Sequence, residues 1–476
     1  MIFKMNRLRT AFILLGCLFV LSAHGQDAGS AAAPAGGGQD TSGGAAGGQE
    51  AAPAGGGQAA APASEAVPVV MPGAYGTAPM SLTPGEGRFS KPPYQFTLSM
   101  QQGFDTNVFT TASNTVSSLV NTGQLGFQMQ GATPRTIFTL DSTAGINYYW
   151  HRPGVNPEDY NGNLSLLFFH KITPRMNISM TASVAYLTQP NFAALNATIN
   201  QQGGSYILGS GRLNLSYQWS AKFQTNTSYS FNTTLYQEKT QQTNNIVENT
   251  FGNEWKFLLN PRTSLVAEGR YSSSSYPKYA AGDSSTLYGL LGADYMFSRR
   301  LSATIRGGLQ YRNYSTASNT TGGSSAGSTA QSSPYAETTV SYIYGHQSTF
   351  QWTNRFGLDS SNIASQKVTS FRTGINFNHV LTAKMILTFG LNYNVTSTQT
   401  GDRVVLEQII PGLIVPVTIP GTTTDQNQIY STLGLQYTLT PKFSLTANYT
   451  FTDIISVSKA NSYTRSQFFL GGAYTF

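Results

Sequence analysis

The chain has 476 residues, only 10% of them charged and 40% hydrophobic, with a formal charge of +7. Uncharged polar residues, Gly, Tyr and Phe fill the difference. That mix fits neither a water-soluble α/β enzyme, where about a quarter of the residues carry charge, nor a helical membrane protein. The positive charge is spread along the chain without a Lys/Arg-rich run, so the electrostatic footprint of a nucleic-acid partner is missing.

The first 25 residues read as a secretory signal peptide. Lys4, Arg7 and Arg9 precede the apolar run "AFILLGCLFVL" (11–21), and Ala23-His24-Gly25 gives a small-x-small cleavage site. The run is too short to span a membrane as a helix. A rival reading is a lipoprotein box, "LLGC" (14–17), with lipid on Cys17; against it, the apolar run continues past Cys17. Cys17 is the sole cysteine, so a chain cut near Gly25 has no disulfide and no cysteine-bound metal. Residues 26–90 are Gly, Ala, Pro and Gln with scattered acids, and "AAPAGGGQ" occurs at 32–39 and again at 51–58. Such a stretch has nothing to bury and reads as a disordered linker. As a coil it spans on the order of 45 Å.

From Tyr94 onward apolar and polar residues alternate. In "LSATIRGGLQYRNY" (301–314) one face is Leu301, Ala303, Ile305, Gly307, Leu309 and Tyr311; the other is Ser302, Thr304, Arg306, Gly308, Gln310 and Arg312. Period two is a strand with one oily and one wet face. The pattern recurs in "NISMTASVAY" (177–186), "RLNLSYQW" (212–219), "MILTFGLNYNV" (385–395) and "FSLTANYTF" (443–451). No other stretch approaches the about 20 apolar residues of a transmembrane helix, whereas a tilted membrane strand needs only about 9–11.

Two kinds of connection alternate along the chain. The short kind is "TPR" (133–135, 173–175), "SAK" (220–222), "NPR" (260–262), "SRR" (298–300), "GHQ" (345–347), "TAK" (382–384) and "TPK" (440–442). Ser, Thr or Asn followed by Pro suits a tight type I turn. The long kind is polar and variable, as in 315–333. Eight short turns and nine long loops predict an all-β, transmembrane, antiparallel up-and-down barrel of about 18 strands (16–20) over 91–476.

Mid-strand charges fall on the wet face: Asp141, Arg212, Glu248, Glu254, Lys256, Glu268, Arg270, Asp294, Arg306, Arg312, Glu337, Arg355, Asp359, Arg372 and Arg465. Reflection about the "NPR" turn sets Glu254 diagonal to Arg270 and Lys256 diagonal to Glu268, within reach of long side chains. Two readings stand side by side: a salt-bridge network that props the lumen wall, or a field that orients polar and anionic solutes. On the oily face aromatics crowd the strand ends, at Tyr148 and Trp150, Tyr217 and Trp219, Trp255 and Phe257, Tyr295 and Phe297, Phe350 and Trp352. Such girdles mark the level of lipid headgroups. The apolar loop 402–425, with Pro411-Gly412 at its middle, reads as an extra hairpin, either folded into the lumen as a lid or standing above the rim.

At "YQFTLSMQQGFDTNVF" (94–109), with the step Asp105, Asn107, Val108, the sequence resembles the β-barrel porins of Gram-negative outer membranes. The resemblance runs from about residue 90 to the end. It implies an outer-membrane, porin-like barrel, with some relatives associated with exopolysaccharide systems, and it supplies no catalytic residues. Asp105 itself reads as an Asx-turn at a strand end. The final "FLGGAYTF" (469–476) is similar to the C-terminal signal read by the barrel-assembly machinery, with Gly471, Tyr474 and Phe476 at the expected steps and Phe469 as a departure.

The expected function is therefore passive diffusion of small polar solutes across the outer membrane, with a weak anion bias and the linker in the periplasm. A barrel for exopolysaccharide export or surface assembly, with a periplasmic partner, is the second reading; a structural or adhesive barrel is the third. Outer-membrane lipid and, during insertion, the assembly machinery are the expected partners. No cofactor, metal or nucleic acid is expected. An enzyme reading finds no "GxSxG", no P-loop and no His-based metal pattern; of five His, only His151 falls near a long loop. Deleting Phe476 should lower the amount of heat-modifiable, assembled barrel in outer-membrane fractions; undiminished assembly would contradict the signal reading.

Overall fold

The computed structural model describes residues 94–188, 205–278, 282–314, 330–344, 348–360, 366–400, 403–410, 413–419, 422–457 and 462–476. The chain divides into two units, Met1–Gly57 and Gln58–Phe476. The signal peptide and linker expected over 1–90, the "GHQ" turn and most of loop 315–333 lie outside the described residues.

In chain order the strands are β1 (Tyr94–Asp105), β2 (Ser118–Ala132), β3 (Thr136–Tyr149), β4 (Glu158–Thr173), β5 (Met176–Leu187), β6 (Tyr206–Gln218), β7 (Phe223–Tyr236), β8 (Ile246–Asn260), β9 (Thr263–Ser275), β10 (Ser284–Met296), β11 (Leu301–Tyr314), β12 (Ala330–Tyr344), β13 (Ser348–Asp359), β14 (Gln366–Thr382), β15 (Met385–Thr400), β16 (Arg403–Ile410), β17 (Leu413–Ile419), β18 (Thr423–Thr440), β19 (Phe443–Ser456) and β20 (Tyr463–Thr475). Eighteen of them form one antiparallel sheet in which each strand pairs with the next, β15 passes to β18, and β20 returns to β1. The sheet is a closed barrel. β16 and β17 pair with each other as a separate hairpin, within the apolar loop 402–425.

The short turns owe their sequence to a side-chain oxygen at the first position. The Asn260 Oδ1 accepts from the Arg262 N–H at 2.9 Å. The Ser220 Oγ accepts from Phe223 at 3.1 Å, the Ser298 Oγ from Leu301 at 3.1 Å and the Thr440 Oγ1 from Phe443 at 3.1 Å. Ser, Thr and Asn recur there because each satisfies a backbone donor that the turn leaves open.

Alternation sorts the side chains. Leu98, Met100, Leu125, Leu213, Ile305 and Leu470 point outward and stay exposed, and Leu291 and Leu309 are 71% and 70% accessible. Water would not tolerate an apolar belt of this extent; a bilayer requires it. Exposed aromatic pairs sit at its edges, with Tyr148 against Trp150 and Tyr295 against Phe297 in edge-to-face contact.

Closure happens at one seam. Phe476 donates its N–H to the Phe96 carbonyl (3.0 Å) and accepts from the Phe96 N–H (3.3 Å). Gly471 faces inward at that seam, where a Cβ would lie 2.2 Å from the Met100 oxygen, so no larger residue fits without displacing β1. Tyr474 and Phe476 point outward with their rings 5.5 Å apart. At the other end of the seam Arg465 holds Asp105 through both guanidinium and carboxylate forks, and Gln467 adds a bond of 3.0 Å. Asp105 is fully buried, so removing its partner strands a charge, at a cost of about 3–5 kcal/mol. Arg465→Met should lower the temperature at which the barrel loses its heat-modifiable gel mobility, and the double change with Asp105→Asn should recover most of that loss. A single variant as stable as the parent would contradict the seam account.

Candidate functional site

The concave face of the sheet is where the charged side chains meet. Arg270 on β9 binds Glu337 on β12 (2.7 Å), and Arg306 on β11 binds Glu254 on β8 (3.1 Å). Each pair joins strands three places apart in the wall, which only a chord across the inside can do.

The network is continuous. Arg270 also grips its neighbour Glu268 and reaches the Tyr335 hydroxyl at 3.3 Å, with the guanidinium 5.8 Å from that ring. Arg306 adds Asp294 at 2.7 Å, and Lys256 pairs with the same Asp294. Arg355 lies 3.5 Å from Asp359, and Arg372 binds the other Asp359 oxygen. Arg312 donates to the Thr286 hydroxyl at 2.9 Å. On β6, Arg212 donates to the Asn214 amide oxygen at 3.0 Å. Acids and bases thus interleave, as in a wall that holds itself together.

The partners differ from those expected by reflection about the "NPR" turn. Register sets Glu254 directly opposite Glu268 and Lys256 opposite Val266, with an irregularity between Leu258 and Asn260. The diagonals exist, yet the ion pairs of Glu254 and Lys256 run to Arg306 and Asp294 instead. Glu254 and Glu268 side by side repel, and each finds a cation on β11 or β9.

The two ends of the lumen differ. Toward the long loops many inward side chains are buried, among them Asp105, Asp159, Thr286, Gln310, Thr452 and Gln467. Toward the short turns the inward residues are mixed: Leu167, Thr181, Thr349 and Gln351 remain exposed, while Asn226, Val266, Thr446 and Ala473 are buried. Among the described residues the turn end of the lumen wall is the more open and the loop end the more constricted.

Two inturned segments contribute to that constriction. The first follows β1. The Asp105 Oδ1 accepts from the Asn107 N–H at 3.0 Å, an Asx-turn, and the Asn107 amide donates to Thr111 (2.9 Å) and Thr464 (3.2 Å) carbonyls. Val108 then packs on Val120, Tyr149 and Phe469. Thr110 sits at φ 54°, a left-handed conformation that a β-branched residue adopts only when its surroundings enforce it.

The second is the tip of β13. Its pairing with β12 stops at Ala336–Phe356, while β12 runs on beside β11 to Ala330. Pro334, which has no N–H to offer a ladder, lies on that unpaired stretch. Gly357, Leu358, Asp359 and Ser360 turn inward across β12 and β11. Gln310 donates to the Leu358 carbonyl (3.3 Å), Arg312 to the Asp359 carbonyl, and the Ser360 hydroxyl meets Ser274 of β9 at 3.3 Å. Leu358 is 0% accessible, although its parity is that of the outer face. A Cβ on Gly357 would lie 2.6 Å from Gln310 and 2.8 Å from Tyr335, so the tongue needs glycine there. Sequence reasoning offered 402–425 as either a lid or a hairpin above the rim and overlooked this tongue; Pro334 and Gly357 are its signals.

No family model and no curated protein matches the chain. Among solved structures it is similar to the outer-membrane protein OpdK of Pseudomonas aeruginosa (10% identity, 80% of this chain and 99% of that one, TM-score 0.38) and to a BenF-like porin of Pseudomonas fluorescens Pf-5 (10%, 80% and 99%, TM-score 0.39). It is similar too to the ferric enterobactin receptor PfeA of Pseudomonas aeruginosa (8%, 81% and 81%, TM-score 0.39). Likeness at this distance carries no functional argument, and the barrel's own faces do. Among the described residues no group of three or more His, Cys, Asp or Glu could hold a metal ion.

Replacing Gln310 and Arg312 together by Ala removes the two side-chain donors to the backbone carbonyls of the β13 tip. Single-channel conductance in planar bilayers should rise; a conductance equal to the parent's would show that the tongue does not limit the lumen.

Proposed function

We propose that the protein is a porin-like channel of the Gram-negative outer membrane, passing small polar solutes by diffusion. One observation carries this reading: a single closed sheet separates an apolar outer belt from a charged and amide-rich inner wall that is more open at the turn end. A closed barrel is one of only two ways to satisfy backbone polar groups in hydrocarbon. At 18 strands the interior is too wide for wall side chains alone to fill.

Preference among ions is weak in this reading. Arg is the commonest inward charge, which favours anions, but Arg270, Arg306, Arg355, Arg372 and Arg465 are each tied to carboxylates. A paired guanidinium presents little net field to a passing solute. The tight turns face the periplasm and the long loops the outside, the arrangement that such barrels share. Purified full-length protein added to a planar bilayer should give stepwise, ohmic current. Under a salt gradient, its reversal potential should lie close to zero on the anion-selective side. A reconstituted barrel that conducts no current would falsify the channel reading.

A further inference from the structure

We propose that the turn-end rim of the barrel is a binding surface for anionic phospholipid headgroups, those of the leaflet that the short turns face. The proposal goes beyond the channel reading and needs only a barrel that lies in a bilayer. The first ground is charge. The third residue of each of the seven described short turns is Lys or Arg, from Arg135 to Lys442, and Lys171 and Arg299 add two more cations. All nine are exposed. No Asp or Glu stands within three residues of any short turn. No ion pair among the described residues engages these cations, whereas Arg270, Arg306 and Arg465 of the inner wall are each tied to carboxylates. At the loop end the exposed charges are mixed, with Glu158 and Glu238 as well as Lys239 and Lys278. The turns themselves do not require a cation. Their bonds are made by the Ser, Thr or Asn oxygen at the first position and leave the third side chain unused.

The second ground is placement. At each of these seven turns the carbonyl of the third residue accepts an N–H from the neighbouring strand at 2.7–2.9 Å, as Arg135 does from Lys171 and Lys442 from Thr475. The ladder thus pins every one of these residues at the same step of its hairpin, and the cations form a crown at one level of the barrel. Successive short turns are two strands apart, about 10 Å along the wall. A compact protein partner would meet one arc of such a crown, whereas a ring of lipid around the barrel meets all of it.

The third ground is the neighbouring belt. Trp219 and Phe297 are exposed on the outer face, each in edge-to-face contact with a second outward aromatic, Tyr217 and Tyr295. Trp219 stands three positions before Lys222, and Phe297 two before Arg299. Such aromatics mark the level where acyl chains give way to headgroups. Cations just beyond them are at the level of lipid phosphates, with their aliphatic stems free to lie along the apolar belt. Each Lys or Arg held at an anionic lipid surface favours association about fivefold.

The test uses the full chain reconstituted in phosphatidylcholine vesicles with trace spin-labelled phosphatidylglycerol or phosphatidylcholine. Electron paramagnetic resonance reads the fraction of each label that the barrel surface immobilises. The parent should favour phosphatidylglycerol about threefold, the mean of about fivefold in the turn-side leaflet and no preference in the other. In 1 M NaCl, where the Debye length is about 3 Å, the ratio should approach one. Arg175→Gln/Lys222→Gln/Arg262→Gln/Arg300→Gln should bring it below about twofold at low salt. Lys222→Gln/Lys442→Gln should lower it by less and serves if the fourfold variant does not assemble. The loop-end control Lys239→Gln/Lys278→Gln should keep the parent's ratio. A parent ratio of one, or a preference that the turn variants leave unchanged, overturns the proposal. A parent ratio of one joined to an anion selectivity that falls in the turn variants overturns it too, and assigns the crown to ions entering the lumen. A barrel that conducts no current yet immobilises phosphatidylglycerol through these turns upholds the surface while the channel reading fails.

Discussion

A backbone N–H or C=O inside a bilayer has no water to turn to, so a sheet in hydrocarbon must leave no open edge. In this chain that demand concentrates at the line where the first strand meets the last. Phe476 and Phe96 exchange backbone hydrogen bonds at one end of the line, and Asp105 and Arg465 lock the other. Between them glycines relieve the crowding. Gly103 lies under the Phe469 ring, 2.3 Å from where a Cβ would sit, and Gly471 lies over β1. Asp105 and Arg465 are 360 residues apart in the chain, so their contact closes a long loop at an entropic cost.

Once closed, the sheet faces two solvents, and period-two alternation does the sorting. Outside, uncharged Leu, Ile and aromatic side chains meet lipid. Inside, charge concentrates on β8–β14 and neutral amides on β14–β19. The charged half holds itself by chords such as Arg270–Glu337, which brace strands that share no ladder. The same half anchors the inturned tip of β13, through Gln310 and Arg312. Across the ring, the segment after Asp105 turns in over Tyr149 and Phe469. Both inturned segments lie at the long-loop end, and the wall is more open at the other. Stability and constriction therefore share residues: Arg312 and Asp359 act in both.

Much of this was legible in the sequence because each signal has a local cause. Alternation exposes strands, and Ser, Thr or Asn at the head of a short turn exposes the hairpins; together they lead to 18 strands, the number in the sheet. The Asx-turn at Asp105 follows from the same local chemistry. Ion-pair partners were not legible, because Glu254 and Arg306 are joined by barrel curvature and not by register. Arg465 was placed on the inner face, but its bond to Asp105 depends on closure, which no local pattern encodes. The inturned β13 tip was missed for a related reason: an alternating strand gives no sign of where its ladder to one neighbour ends, apart from a proline such as Pro334.

The central claim is that one sheet separates lipid from a wet lumen. Leu164 and Val184 face outward at 47% and 53% accessibility, while Leu167 faces inward at 45%, beside the exposed Thr181. Accessibility alone does not tell these positions apart, and their surroundings do. The most direct measurement is the rate at which a membrane-impermeant maleimide labels single-cysteine variants of the barrel in outer-membrane vesicles. Leu167→Cys and Thr181→Cys should react, and Leu164→Cys and Val184→Cys should not. Equal labelling at all four positions would contradict the account, because it would mean that both faces of the sheet stand in water.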